Sequence, residues 1–489
     1  MSYLLAFLAG VLSVGAFSPF DWWWLLLPTL GLVFASWLSA SGGRAFRTGF
    51  CFGLGQFGAG VSWVYISIQT FGGMPPVLAG ICVFGLVFWL SLFPAVAGWV
   101  QWLFRHFHVA TRLLVVMPVV WMLLEWTRGW LMTGLPWLSS GYAALDTPLA
   151  GLAPLGGVYL LGLWVAVTAG ALTQLVCRPG RVAAASLLLP AGALIAGAVL
   201  DRHHWTRPDG DDISVGIIQN NVPLRNKWNP ENRKAILTDY MERSLALADK
   251  DLVVWPEGAV PDYLENLPLS FWQALAVHPA DFAFGTLHRP QGGEAYYNSL
   301  AVVSDELHLY NKQHLVPFGE FFPMERLLDP ILRHLTMPMA DFSAWQSPQQ
   351  PLPLAGSRAA ASICYEDAFP HGWRSQVADS GFLINISEDM WFGDSLAPHQ
   401  RLQMARFRAR EMERPMVRSS NNGLSSLIDW RGRVTAVAPQ FEQAVVTGVI
   451  VPRTGATPFV KWGDWPAMWL AVIMLSTGLL FGRVPLGYN

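Results

Sequence analysis

Three polar residues each follow an apolar, strand-like run: Glu257 comes after DLVVWP, Lys312 after LHLYN and Cys364 after AAASI. A carboxylate, an ammonium and a thiol are the parts of a cysteine-centred acyl transfer, in which a base takes the thiol proton and a cation steadies the oxyanion. Singly, each has a plainer explanation. Glu257 could be a surface carboxylate after Pro256, Lys312 a solvated lysine in a turn, and Cys364 an inert buried thiol. The combination is harder to dismiss, because three strand ends supply complementary chemistry.

The elements that must position the trio are legible between residues 213 and 452. ISVGIIQN, DLVVWPE, DFAFGTL, NSLAVVS, AAASICYE, GFLINIS, MVRSSNN and SSLIDW are predicted strands. PENRKAILTDYMERSLALA and HQRLQMARFRAREMERP place apolar residues at helical spacing. Strands with interspersed helices predict a layered α/β domain, in which polar residues just beyond strand ends converge on one crevice.

The rest of the chain has a different character. Of 489 residues 53% are hydrophobic and only 13% charged, with 24 tryptophans, a composition that fits a membrane protein. Residues 1–200 hold ten Asp, Glu, Lys or Arg. The rise in charge beyond Asp201 marks a boundary, and the expected organisation is a membrane domain over 1–200, a polar domain over 201–465 and a last span with its tail over 466–489.

About eight segments have the roughly 20-residue apolar length that crosses a bilayer core. They lie near 3–19, 22–40, 47–68, 77–104, 111–127, 154–177, 182–200 and 466–484. The first has no basic n-region and is expected to be a retained helix. Arg44, Arg47, Arg105, Arg112, Arg178, Arg181 and Arg483 fall in alternate loops or at the C-terminus, while the loops near Pro19 and Gly72 carry no Lys or Arg. Basic loops stay cytoplasmic, so both termini are expected inside and the polar domain outside, in the periplasm of a Gram-negative bacterium. Trp22, Trp23 and Trp24 fit an interfacial belt. Glu125 and Arg128, three apart at the end of the fifth span, fit a structural pair or a headgroup contact.

Other function classes lose support. A net charge near −2 without a basic, aromatic-laced patch argues against nucleic acid. No HxxH, HExxH or CxxC pattern occurs, so neither a metal nor another cofactor is expected. Cys51, Cys82 and Cys177 fall in or at the ends of spans, which leaves Cys364 without a disulfide partner in its own domain.

The motifs around the trio identify the polar domain as resembling the nitrilase, or carbon–nitrogen hydrolase, superfamily. VVWPEGAVPD corresponds to the glutamate motif, YNKQHLVPFGE to the lysine motif and SICYED to the cysteine motif. LEWTRGWLMTGLPW at 124–137 and LVPFGEFFP at 315–323 narrow the resemblance to the family of bacterial apolipoprotein N-acyltransferases. The resemblance implies an αββα sandwich attached to a polytopic helical domain, with a Glu257–Lys312–Cys364 triad. It also implies a phospholipid acyl donor, a thioester on Cys364 and a diacylated apolipoprotein acceptor at the bilayer. A membrane-tethered amide hydrolase is the alternative that the triad alone allows. A single chain carries all three residues, so a monomer is expected.

The same resemblance gives roles to neighbours. Lys312 and the backbone N–H of Tyr365 would stabilise the oxyanion, Glu320 would support the lysine and the base, and Glu366 would hold the nucleophile loop. Trp228, Trp391 and Phe392 would lie at the lipid chamber. The segment 321–339 could be a flap dipping into the bilayer or an ordinary packed loop-helix. One departure stands out: the family pattern has Asn-Asp-Ala before WFG, where this chain has Glu388, Asp389 and Met390.

Overall fold

Period-two alternation decides the architecture of the polar region. In the segment 213–218, Ile213, Val215 and Ile217 face one apolar core while Ile218 faces another. Such a segment is stable only as a strand covered on both sides. The computed structural model describes residues 2–290, 292–321 and 342–481. It divides into two units, one formed by Met1–Tyr65, Pro75–His204 and Lys461–Asn489, the other by Ile66–Met74 and Trp205–Val460.

In the second unit the strands are, in chain order, β1 (Thr206–Pro208), β2 (Ile213–Gln219), β3 (Leu252–Val254), β4 (Asp281–His288), β5 (Tyr297–Val303), β6 (Leu307–Asn311), β7 (Leu352–Leu354), β8 (Ser357–Ile363), β9 (Phe382–Ser387), β10 (Met416–Ser420), β11 (Ser426–Ile428), β12 (Val434–Val437), β13 (Ala444–Ile450) and β14 (Arg453–Gly455). One six-stranded sheet runs β13-β2-β3-β4-β5-β6, and a second runs β12-β11-β10-β9-β8-β7. The centres are parallel, β2-β3-β4 in one and β8-β9-β10 in the other, with antiparallel flanks. β1 and β14 form a separate antiparallel ribbon.

The sheets face each other across one core, where Val215, Ile217, Val254 and Leu300 meet Ala361, Ile363, Ile384 and Val417. Helices Arg233–Leu245 and Leu269–Ala276 cover the outside of the first sheet through Ile236, Tyr240, Phe271 and Leu275, packed with Trp255 and Phe282. Helices Pro370–Val377 and Ala397–Met412 cover the second through Trp373, Val377, Ala405 and Ala409. The four layers are the αββα sandwich expected from the sequence motifs.

In the first unit, four helices are long and apolar enough to cross a membrane: Pro76–Leu103, Val109–Arg128, Pro148–Cys177 and Arg181–Leu200. A broken pair, Gly42–Gly60 with Val64–Phe71, could count as a fifth, and Tyr3–Ala16, Trp23–Leu38 and Trp465–Leu480 are shorter apolar helices. Helix thus occupies every segment expected to span, three of them below the usual bilayer length. Residues 66–74, at the end of the third segment and beyond it, group with the second unit. Small residues set the helix spacing, as in membrane bundles generally. A Cβ on Gly10 would stand 2.0 Å from the Phe52 carbonyl oxygen, and one on Gly55 equally close to that of Phe7. Glu125 accepts from the Ser140 N–H and hydroxyl and from the Trp121 indole, while Arg128 donates to the carbonyls of Leu135 and Trp137. Each thereby ties the irregular segment after its helix back onto it.

One glycine on β4 decides how closely the loop after β3 can approach. A Cβ at Gly285 would lie 2.5 Å from the Gly258 nitrogen and 2.6 Å from the Glu257 Cα, both backbone atoms that cannot rotate away. Gly285→Ala is therefore expected to displace the 256–258 backbone and destabilise the unit by about 1–3 kcal/mol. A thermal-unfolding midpoint of the purified protein unchanged from wild type would refute this packing.

Candidate active site

The loop after β3 is built to present Glu257 inward. The Trp255 N–H donates to the Ala283 carbonyl at 2.8 Å and the Gly285 N–H to the Pro256 carbonyl at 3.2 Å, which continues the β3–β4 pairing past the strand. Gly258 then turns the chain with φ +60°, a left-handed value that glycine adopts without strain. The carboxylate is held on one side only. Its Oε1 accepts from Asn298 Nδ2 at 2.6 Å and lies 3.7 Å from Lys312 Nζ. Its Oε2 is buried with no hydrogen-bond partner among the described residues. That oxygen is open to a proton.

Lys312 is the first residue beyond β6, and its N–H donates to the Asn298 carbonyl at 2.9 Å. Its side chain is 1% exposed, and Nζ donates to Glu320 Oε1 at 2.7 Å. Burial works against the charge, but Glu320 and Glu257, with the Cys364 sulfur, prevail and hold the ammonium well above the usual lysine range. The other oxygen of Glu320 accepts from the Val316 N–H at 2.8 Å, which folds the LVPFGE turn back over the lysine.

Cys364 follows β8 directly, on a turn where its φ is 52°. A left-handed backbone at a non-glycine residue costs on the order of 1–3 kcal/mol and persists only where the surroundings impose it. Glu366 is what imposes it. Its Oε2 accepts from the Ile363 N–H at 2.7 Å and the Tyr310 hydroxyl at 3.0 Å. Its Oε1 accepts from the N–H groups of Gln313 and His314 at 2.8 and 3.0 Å. One carboxylate therefore locks the nucleophile turn to the loop that begins at Lys312. Tyr365 packs its ring edge-on against Phe369, 4.8 Å away, and burial raises its phenol.

The Cys364 thiol is pushed up to about 12, first by burial and then by the Glu257 carboxylate, while Arg401 and Lys312 pull the other way. At neutral pH the sulfur is a thiol, so any reaction at it needs that proton removed, and the open oxygen of Glu257 has the chemistry of a proton acceptor.

Beneath the nucleophile turn lies a charged network that the strand-end motifs do not reveal. Arg401 pairs with Asp389 and with Asp367, the latter at 3.1 Å, and Arg418 reaches Asp367 at 2.7 Å and Asp389 at 3.2 Å. All four side chains are fully buried. Burial opposes the Asp389 charge, but the two guanidiniums hold its carboxyl below the usual carboxylate range. Asn298 and Lys227 are two further residues that the sequence reading missed. Only the Asn of YNS, opening a predicted strand that should read as apolar, was available as a signal.

The predicted chamber residues occupy different places. Trp228 and Trp391 line a cavity of about 520 Å3, together with Phe71, Leu224, Tyr263 and Tyr296. That volume lies within the usual range of small-molecule sites. The Trp228 ring borders Gly258, next to the base, at 3.5 Å from where a Cβ would stand. Trp391 stacks edge-on with Phe71, at 5.8 Å. Phe392 lies instead against the Arg401 guanidinium, 5.9 Å from it. Apart from Phe321, the segment 321–339 falls outside the described residues.

Comparison with known proteins shows the family. Residues 9–171 match the family model described as apolipoprotein N-acyltransferase N-terminal domain, and residues 214–459 the one described as carbon–nitrogen hydrolase. An apolipoprotein N-acyltransferase of Methylococcus capsulatus is 41% identical over 98% of this chain and 96% of its own. One of Azotobacter vinelandii is 40% identical over 98% and 95%. The crystal structure of a CN-hydrolase superfamily protein from Xanthomonas campestris, 18% identical, covers 55% of this chain and 97% of its own with a TM-score of 0.37.

Because Glu257 raises the thiol, removing its charge should lower it. Glu257→Gln is expected to speed alkylation of Cys364 by iodoacetamide at pH 9 about tenfold, since the thiolate is the reacting species. Slower alkylation in that variant would show instead that Glu257 assists loss of the thiol proton during attack.

Proposed function

Since this chain belongs to the apolipoprotein N-acyltransferase family, we propose that Glu257, Lys312 and Cys364 carry out the N-acylation of lipoproteins in two half-reactions. The Cys364 sulfur attacks an ester carbonyl of a membrane phospholipid while Glu257 Oε2 accepts the thiol proton. Lys312 and the Tyr365 backbone N–H stabilise the tetrahedral oxyanion. The ester C–O bond then breaks, Glu257 returns the proton to the departing glycerol oxygen, and a lysophospholipid leaves Cys364 as a thioester.

In the second half-reaction the α-amine of an N-terminal diacylglyceryl-cysteine attacks the thioester. Glu257 takes a proton from the amine, the C–S bond breaks, and the thiol regains its proton as the amide forms. The observation that carries this reading is the asymmetry of Glu257, one oxygen fixed by Asn298 and Lys312, the other buried and open beside a protonated thiol. Glu320 keeps the lysine in place, and Glu366 keeps the nucleophile turn. Trp228 and Trp391 supply apolar cavity wall for an acyl chain, which helps keep water from the thioester.

The chain is a membrane protein of bacterial type, and the loop arginines orient it with both termini cytoplasmic and the catalytic unit in the periplasm. Arg112 carries less of that argument than its neighbours. It is buried and donates to the carbonyls of Trp37 and Leu38 at 3.0 Å each. Arg44, Arg47, Arg105, Arg178, Arg181 and Arg483 remain. One chain supplies the whole site, so the enzyme acts as a monomer.

Intact mass spectrometry of the purified protein with phospholipid should show one added acyl mass, lost on adding a diacylglyceryl-cysteine peptide and recovered on the peptide amine. Discharge to water at the same rate without acceptor would make the protein a hydrolase. Cys364→Ala should carry no acyl mass, and Lys312→Ala should acylate about 100- to 1,000-fold more slowly, the usual cost of a lost oxyanion donor. An unchanged rate in Lys312→Ala would leave the oxyanion to backbone donors.

A further inference from the structure

The turn Leu224–Lys227 carries the cavity-wall residues Leu224 and Arg225 and leads into Trp228. Its last residue, Lys227, is a 1%-exposed lysine whose ammonium donates to the Glu257 main-chain carbonyl at 3.2 Å and to the Glu388 carboxylate. Glu388 is itself buried and anchored by the Asn421 amide and the Met390 N–H, both at 3.2 Å. The Met390 sulfur accepts the Leu224 N–H, also at 3.2 Å. Both departures from the family pattern, Glu388 and Met390, thus grip the same short turn.

We propose that Lys227 is a positioning residue for acyl transfer, fixed by Glu388 and gripping the peptide of the base, so that the cavity wall and the Glu257 carboxylate move as one body. The inference rests on the acyl-transfer reading above. A buried ammonium needs a counter-charge, and Glu388 is the carboxylate that bonds it. With that charge satisfied, a second donor position on the same nitrogen is directed at the Glu257 carbonyl. Gly258, the next residue, has left-handed φ and so no local side chain to hold the loop. Lys227 supplies that hold from outside the loop, beside the wall formed by Trp228.

Removing one member of a buried pair unfolds proteins for trivial reasons, so the test removes both. Lys227→Met/Glu388→Gln leaves no unpaired charge and should melt within a few degrees of wild type. Its single-turnover acylation of Cys364 from phospholipid vesicles, followed by intact mass, should fall about 10- to 100-fold, the cost of misplacing a reacting group by a fraction of an ångström to an ångström. The lipid concentration for half-maximal rate should stay within about twofold, because the cavity lining is retained.

A double variant with the wild-type rate would overturn the proposal. So would a rise in the half-maximal lipid concentration as large as the fall in rate, since the pair would then matter only as packing of the cavity wall. Failure of the wild-type protein to acquire any acyl mass would instead sink the acyl-transfer reading itself.

Discussion

The site depends on keeping an ammonium charged where water cannot reach it. Lys312 is buried at the end of a strand, and transfer of an unpaired ammonium to such a place costs several kcal/mol. Glu320 and Glu257 offset that cost together, at 2.7 and 3.7 Å. Much of the surrounding order follows from this one requirement. Glu320 must be brought back over the lysine, so the LVPFGE turn closes on its own Val316 N–H. Glu257 must spend one oxygen towards the lysine and Asn298, which leaves the other free for chemistry. Glu257, one of the two carboxylates that keep the lysine charged, also adds to burial in making the nearby sulfur a poor anion. A charged lysine and a protonated thiol thus share one carboxylate as a cause.

A second constraint acts at the level of the backbone. Two parallel sheet centres end at the same crevice, and the loops leaving them have to be pinned individually. Glycine at 285 lets the base loop lie against β4. Glu366 bonds both the nucleophile turn and the loop after Lys312, so those two cannot drift apart. The Asp367–Arg401–Asp389–Arg418 ring does the same from below, with four charges that cancel in pairs. Glu366, with both oxygens bonded, is a buried polar group whose partners are satisfied, the condition under which such groups add specificity rather than cost stability.

The sheets and the convergence of Glu257 and Lys312 were legible because their signals are local. An apolar run that stops abruptly at Glu, Lys or Cys marks a strand end without any knowledge of what lies opposite, and strands with interspersed helices give a layered α/β domain, whose αββα form the resemblance of the motifs implied. Glu320 and Glu366 were reached through the resemblance of their motifs. What stayed hidden depends on pairs far apart in the chain. Arg401 sits on a helix whose charges read as a solvated face, and only Asp367 and Asp389, from two other loops, make it buried. Lys227 likewise reads as a surface lysine until Glu388, 161 residues on, accounts for it. The grouping of residues 66–74 with the second unit was equally invisible, since hydropathy reports how apolar a segment is and not which neighbours cover it.

The protonated state of Cys364 has a consequence for how long the protein survives. Peroxide oxidation and disulfide exchange both proceed through thiolate. A sulfur pushed up to about 12 is almost entirely thiol at neutral pH. The same burial that disfavours its ionisation therefore also slows its oxidation.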